Sequence, residues 1–208
     1  MARSGIRVLP FAVLLVGAFG SGATAHALNS GHPWRVHYPY NVAVYEANLV
    51  ALGGTQWRPA LEYMVRDYDA TSMVAHWEPN GLFQATQVDF WAISEPRDST
   101  IGFTDPFAFD VELGKWISCR KPPTGHECTS THNLVEYARV EINVANRVFQ
   151  RDPNDYYVKR HMVTHETGHA VGLKHYGGCT AGVMGGFNCN PLVWKLDAYS
   201  KQHLDAWY

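Results

Sequence analysis

The chain has 208 residues, 46% of them hydrophobic and 13% aromatic, which is enough apolar surface for one ordinary core. No composition break calls for a second folded domain. With a formal net charge of −2 and no long Lys/Arg run, nothing points to nucleic acid as a partner or to an anionic membrane surface.

Residues 1–27 read as an export signal. Arg3 and Arg7 supply the positive start, Val8 to Phe19 the apolar stretch, and Ala23-Thr24-Ala25 or Ala25-His26-Ala27 a small-residue cleavage site. The apolar run is about 12 residues, too short for the roughly 20 that a spanning helix needs. The expectation is therefore a single secreted, extracellular domain over residues 28–208, without a stable membrane anchor once the signal is removed, and monomeric.

Downstream, Asn41 to Tyr45 is a short β-branched strand candidate. Trp57 to Tyr68 places Leu61, Met64, Val65 and Tyr68 at i, i+3, i+4 and i+7, the spacing of a helix with one buried stripe. Ser72 to Trp77 and Gln87 to Ile93 alternate apolar and polar residues, as strands do, and are split by the turn signal Pro79-Asn80-Gly81. From Ser94 to Thr131, Pro96, Pro106, Pro122 and Pro123 mark loops, with Lys115 to Cys119 a short strand candidate. Tyr137 to Val144 alternates again. A helix beginning near Tyr157 puts Val158, Met162, His165 and His169 on one face, and a last helix over Lys201–Tyr208 takes Ser200 as its N-cap, with Leu204, Trp207 and Tyr208 docking inward. This order of elements implies an α+β fold, a mixed sheet backed by helices.

Four cysteines, Cys119, Cys128, Cys179 and Cys189, suit an oxidising destination as two disulfides. Of the three connectivities, Cys119–Cys128 with Cys179–Cys189 closes the shortest loops. The alternative is a four-thiolate zinc site, against which neither pair has the two to four intervening residues that zinc knuckles prefer.

Most of the chemistry sits in one stretch, His165-Glu166-Thr167-Gly168-His169-Ala170-Val171-Gly172-Leu173-Lys174-His175, which spells HExxHxxGxxH. With about 3.6 residues per helical turn, His165 and His169 lie one above the other and can reach a single ion. Gly172 supplies a left-handed residue where the helix must stop, so that His175 can swing back as a third ligand. Three neutral imidazoles leave a fourth zinc position open for water, and Glu166 is placed to act as a general base. His161, four residues before His165, reads as a supporting or surface histidine, because a fourth protein ligand would fill the water position. The other histidines show no ligand spacing.

The HExxHxxGxxH stretch, followed nine residues later by Met184 in Ala181-Gly182-Val183-Met184-Gly185, resembles the metzincin clan of zinc endopeptidases, and within it the matrixins. Ile142-Asn143-Val144 upstream and Trp207-Tyr208 at the end also resemble matrixin-like catalytic domains. The resemblance implies a twisted mixed sheet with a zinc cleft above the motif helix. It also implies one catalytic Zn²⁺ on His165, His169 and His175, Glu166 as the catalytic base, Met184 supporting the metal from beneath, and a peptide or protein substrate. By spacing alone Met184 would simply fill a core gap. Matrixins also carry structural Ca²⁺, for which Asp98, Asp105 and Asp110 are the candidates; read as residues alone, they belong to a solvated loop. Two departures stand out. No cysteine precedes Cys119 to cap the zinc, and Gly185-Gly186 replace the proline or tyrosine that clan members carry after the Met. A competing reading is a catalytically silent zinc-binding adhesion or interaction protein on the same scaffold. The intact Glu166 distinguishes the two, since a retired enzyme has no reason to keep its base.

Overall fold

A computed structural model describes residues 41–78, 86–95, 100–128, 135–152, 154–176, 182–185 and 193–207. The proposed signal, Asp98, and the Cys179–Cys189 pair lie outside the described residues, as do Tyr208 and the side chain of Trp207.

The fold is α+β, with six strands in one mixed sheet ordered β2-β1-β3-β6-β4-β5. Strands β1 (Asn41–Tyr45), β2 (Val74–Trp77), β3 (Val88–Ile93) and β6 (Val135–Asn143) run parallel to one another. On the other side of β6, β4 (Gly102–Asp110) and β5 (Lys115–Ser118) run antiparallel. Helices α1 (Leu49–Gly53), α2 (Trp57–Asp69), α3 (Arg147–Arg151), α4 (Tyr156–Ala170) and α5 (Ala198–Trp207) complete the chain, with a 3₁₀ turn at Val183–Gly185. Among the described residues no helix is long and apolar enough to cross a membrane.

The stripe expected on α2 is the face it buries: Leu61, Met64 and Tyr68 are almost wholly excluded from solvent. Each such side chain contributes about 1.5–3 kcal/mol by leaving water. The Tyr68 hydroxyl donates to the Thr164 carbonyl at 2.8 Å, joining α2 to the middle of α4. Helix α4 is inside the molecule on nearly every side, from Lys159 to Gly168. It is therefore a core element and not the one-faced helix that its apolar pattern suggests. Its start is set by Asp155, whose carboxylate accepts from Val158 N at 3.0 Å.

Two expectations need correction. The stretch around Pro106 is not a loop but the nine-residue strand β4. Asn143 N donates to Ile101 O, so Ile101, Phe103 and Asp105 turn their peptide groups toward β6, while Gly102, Thr104 and Pro106 turn theirs away. Pro106 lacks only an N–H that would have pointed off the sheet, and the strand tolerates it. In α5, Ser200 is not the N-cap. The helix begins at Ala198, and Asp197 holds its first turn by accepting from Ser200 N at 3.0 Å.

Candidate metal centre

The motif helix ends as Gly172 requires. At φ +95°, Gly172 lets its own N–H bond the His169 carbonyl at 3.1 Å and the Leu173 N–H bond the Gly168 carbonyl at 2.7 Å, a paired C-terminal cap. The chain then turns back and delivers His175 to the first two histidines. The three Nε2 atoms stand 3.1 Å apart for His165 and His169, 2.9 Å for His165 and His175, and 3.0 Å for His169 and His175. Among the described residues this is the group of His, Cys, Asp or Glu side chains whose ligand atoms converge closely enough to hold a metal ion.

Protonation explains why such crowding suits a cation. His165 Nδ1 lies 2.8 Å from the Val183 carbonyl and His169 Nδ1 lies 2.8 Å from the Leu173 carbonyl. A carbonyl only accepts, so each Nδ1 carries the ring hydrogen and each Nε2 presents a bare lone pair. Burial, with the neighbouring imidazole adding to it, pushes His165 down to about 3, while burial takes His169 to about 4. Two lone pairs at 3.1 Å repel one another. At most one pair in the trio can be relieved by a single hydrogen on His175, whereas one cation satisfies all three. The trio could hold one metal ion, and because His175 is exposed the site is reached from solvent on that side.

Glu166 follows His165 on α4 and is itself buried. Burial pushes its carboxyl up to about 7, opposed by the hydrogen bond from Thr104 and by the positive charge of Arg120. Thr104, on β4, sets its Oγ1 2.9 Å from both Glu166 Oε2 and the Glu166 carbonyl.

Met184 is completely buried in the 3₁₀ turn and packs against α4 at Gly168. Val183, beside it, is the residue whose carbonyl orients His165. Tyr176 ties this region to α5: its hydroxyl donates to Asp197 Oδ2 at 2.6 Å and lies 2.8 Å from Ser200 Oγ, while its backbone N–H meets the Met184 carbonyl at 3.4 Å. Gly182, at φ +112°, passes so close to Asp197 that a side chain there would overlap the carboxylate. His161 is buried, stacked 5.5 Å from His165 with Nδ1 against the Val193 carbonyl, and stands outside the converging group.

Compared with known proteins, the chain matches no family model, and no curated protein is detectably similar to it.

The remaining expected residues separate. Cys119 and Cys128 form a disulfide. Asp105 accepts from Ser118 Oγ at 2.6 Å, whereas Asp110 accepts from Leu113 N at 2.8 Å and faces His126 Nδ1 at 2.7 Å, so the two do not meet as a shared cation site. Thr104, Tyr176, Asp197 and the carbonyls of Val183 and Leu173 bear on the centre without any motif to announce them. Of these, Leu173 lies inside the HExxHxxGxxH stretch and Val183 directly before Met184, so these two stood in segments that the pattern singles out.

Proposed function

We propose that the protein is a secreted zinc endopeptidase, with His165, His169 and His175 as the ligands and Glu166 as the catalytic base. The observation that carries this reading is the convergence of three Nε2 atoms, two of them bare lone pairs, one residue along the helix from a buried carboxyl raised toward neutrality. Zinc suits the donor set: tetrahedral Zn–N bonds of about 2.0–2.1 Å put their nitrogens roughly 3.3 Å apart, close to the spacings here. When bound, it supplies Lewis acidity that polarises a scissile carbonyl and makes water a better nucleophile at neutral pH.

The chain's own groups do the rest. Val183 and Leu173 hold the His165 and His169 rings in the tautomer that offers Nε2. Glu166 takes the proton of the attacking water as its oxygen bonds the carbonyl carbon, then passes that proton to the leaving nitrogen as the C–N bond breaks. Thr104 keeps the carboxyl from swinging away. Beside it, Gly102 and Thr104 turn their peptide groups off the sheet, an edge along which an extended peptide can pair as an added strand.

Purified protein should bind one zinc per chain and cleave unfolded casein, with cleavage abolished by a zinc chelator and restored by zinc. Glu166→Gln should keep the metal and lose cleavage by about 10²–10⁴-fold. Stoichiometric zinc with no hydrolysis of casein or of any peptide would overturn the proteolytic reading in favour of a silent zinc-binding protein.

A further inference from the structure

The open part of β4 has two faces, and a peptide paired along it would have two as well. Strand β5 covers β4 only from Phe107 to Asp110, and Cys119 N–H takes the Pro106 carbonyl at 2.8 Å, which leaves Gly102 and Thr104 as an edge that no strand pairs among the described residues. Gly102 and Thr104 face α4, where Met162 and Glu166 lie; Phe103 and Asp105 face the other side of the sheet. An added strand alternates in the same way, so every second side chain of the peptide falls on the Phe103 side.

That side holds a cavity of about 380 Å³ whose walls include Phe103, Asp105, Glu141, Glu95, Arg120 and Lys121. Its charges are unevenly engaged. Asp105 is held by Ser118 at 2.6 Å, and Glu141 is paired with Arg139 at 2.7 Å. Arg120 and Lys121 form no close ion pair among the described residues; Arg120 acts on Asp105 only at longer range, and neither Asp105 nor Glu95 has an ion-pair partner described. Arg120 is nonetheless held in place. It follows the buried, disulfide-bonded Cys119, its N–H bonds Ser118 Oγ at 3.2 Å, and its guanidinium lies 5.2 Å above the Phe103 ring. A planar cation fixed over an aromatic ring at the rim of a strand edge is suited to receive a carboxylate.

We propose that Arg120, assisted by Lys121, selects an acidic side chain of a peptide substrate lying along the Gly102–Thr104 edge. The inference rests on the proteolytic reading for the word substrate; the recognition itself rests on Arg120. The charge of Arg120 also bears on Glu166, but that effect is the same for every peptide, so a preference among peptide side chains belongs in binding.

The test uses unstructured peptides in which one Glu, Gln or Lys is moved through the positions flanking the cleaved bond. At one position Glu should exceed Lys by roughly three- to tenfold in kcat/KM, carried by KM and shrinking with added salt. Arg120→Glu should reverse the order in KM, with any change in kcat, which the charge at position 120 exerts through Glu166, common to the Glu, Gln and Lys peptides, and Lys121→Gln should weaken the preference without reversing it. The same peptides are also titrated against zinc-loaded Glu166→Gln protein by fluorescence anisotropy, where Glu should again bind better than Lys. Absence of any charge preference in the unmodified protein, or an unchanged preference in Arg120→Glu, overturns the assignment. If the unmodified protein cleaves nothing, the proteolytic reading falls separately and the anisotropy decides: equal affinity for the Glu and Lys peptides overturns the role of Arg120, and a preference lost in Arg120→Glu sustains it.

Discussion

Met184 occupies the space that a side chain on Gly168 would need: a methyl group built there would stand inside the contact radius of the Met184 sulfur, with the Tyr68 hydroxyl 3.2 Å away on another side. Met184 is fully buried, so the sulfur cannot simply move outward. Gly168 precedes His169, and the contact joins the Val183–Gly185 turn directly to helix α4. Gly168→Ala should therefore overpack the interface and cost about 1–3 kcal/mol in urea unfolding, with weaker metal retention. Stability within a few tenths of a kcal/mol of the unmodified protein would show that the turn yields freely.

Thr104 Oγ1 has one hydrogen and two acceptors at 2.9 Å, the Glu166 carbonyl and Oε2. Thr104→Val keeps the shape of the side chain and removes the hydroxyl. A hydrogen bond to a charged group contributes about 1.5–3 kcal/mol, so kcat should fall by roughly tenfold or more while zinc content stays at one per chain. Thr104→Ser should recover most of the loss. Equal kcat for the Val variant would mean that Glu166 is held by its burial alone.

The unequal legibility of these parts has a physical basis. Leu61, Met64, Val65 and Tyr68 declare α2 because a helix with one buried face must repeat its apolar residues at that spacing. The three-histidine motif was readable for the same kind of reason, since bringing three imidazoles together puts two of them on one helical face and a glycine at the reversal. Strand β4 was hidden: Gly102, Asp105 and Pro106 are loop residues by propensity, and the antiparallel pairing with β6 that overrides it comes from residues more than 30 positions away in the sequence. The Asp197–Tyr176 contact is likewise tertiary, and no local pattern marks a tyrosine that reaches across to another helix. The cap of α5 was misplaced because Ser200 and Asp197 are both good cap residues by type. Burial of Ser200 inside the helix, with its hydroxyl on Asp197 at 3.0 Å, decides for Asp197.

Tyr176 follows the last ligand and is anchored through its hydroxyl, so its loss should be felt at the metal more than in the fold. Tyr176→Phe should lower zinc affinity by up to about tenfold in competition with a chelator. The metal-free protein should lose only about 1 kcal/mol, the net worth of an ordinary hydrogen bond. Unchanged affinity would separate the Asp197 network from the centre.

The Cys119–Cys128 bridge closes a short loop of sequence separation 9. Replacing both cysteines by alanine should cost on the order of 2–3 kcal/mol, mainly by freeing the unfolded chain. Cys119 also bonds Pro106 and precedes Arg120, so the same variant should lose discrimination between acidic and basic peptides while still binding zinc. Full discrimination in the alanine pair would show that Phe103 and Ser118 alone position Arg120.

X-ray absorption on the zinc-loaded protein tests the centre most directly. The protein should show one zinc per chain with three imidazole nitrogens at about 2.0–2.1 Å and one further light ligand, and should lose stoichiometric zinc in His169→Ala. A fourth imidazole in the shell, sulfur scatterers, or undiminished zinc in that variant would contradict the ligand assignment.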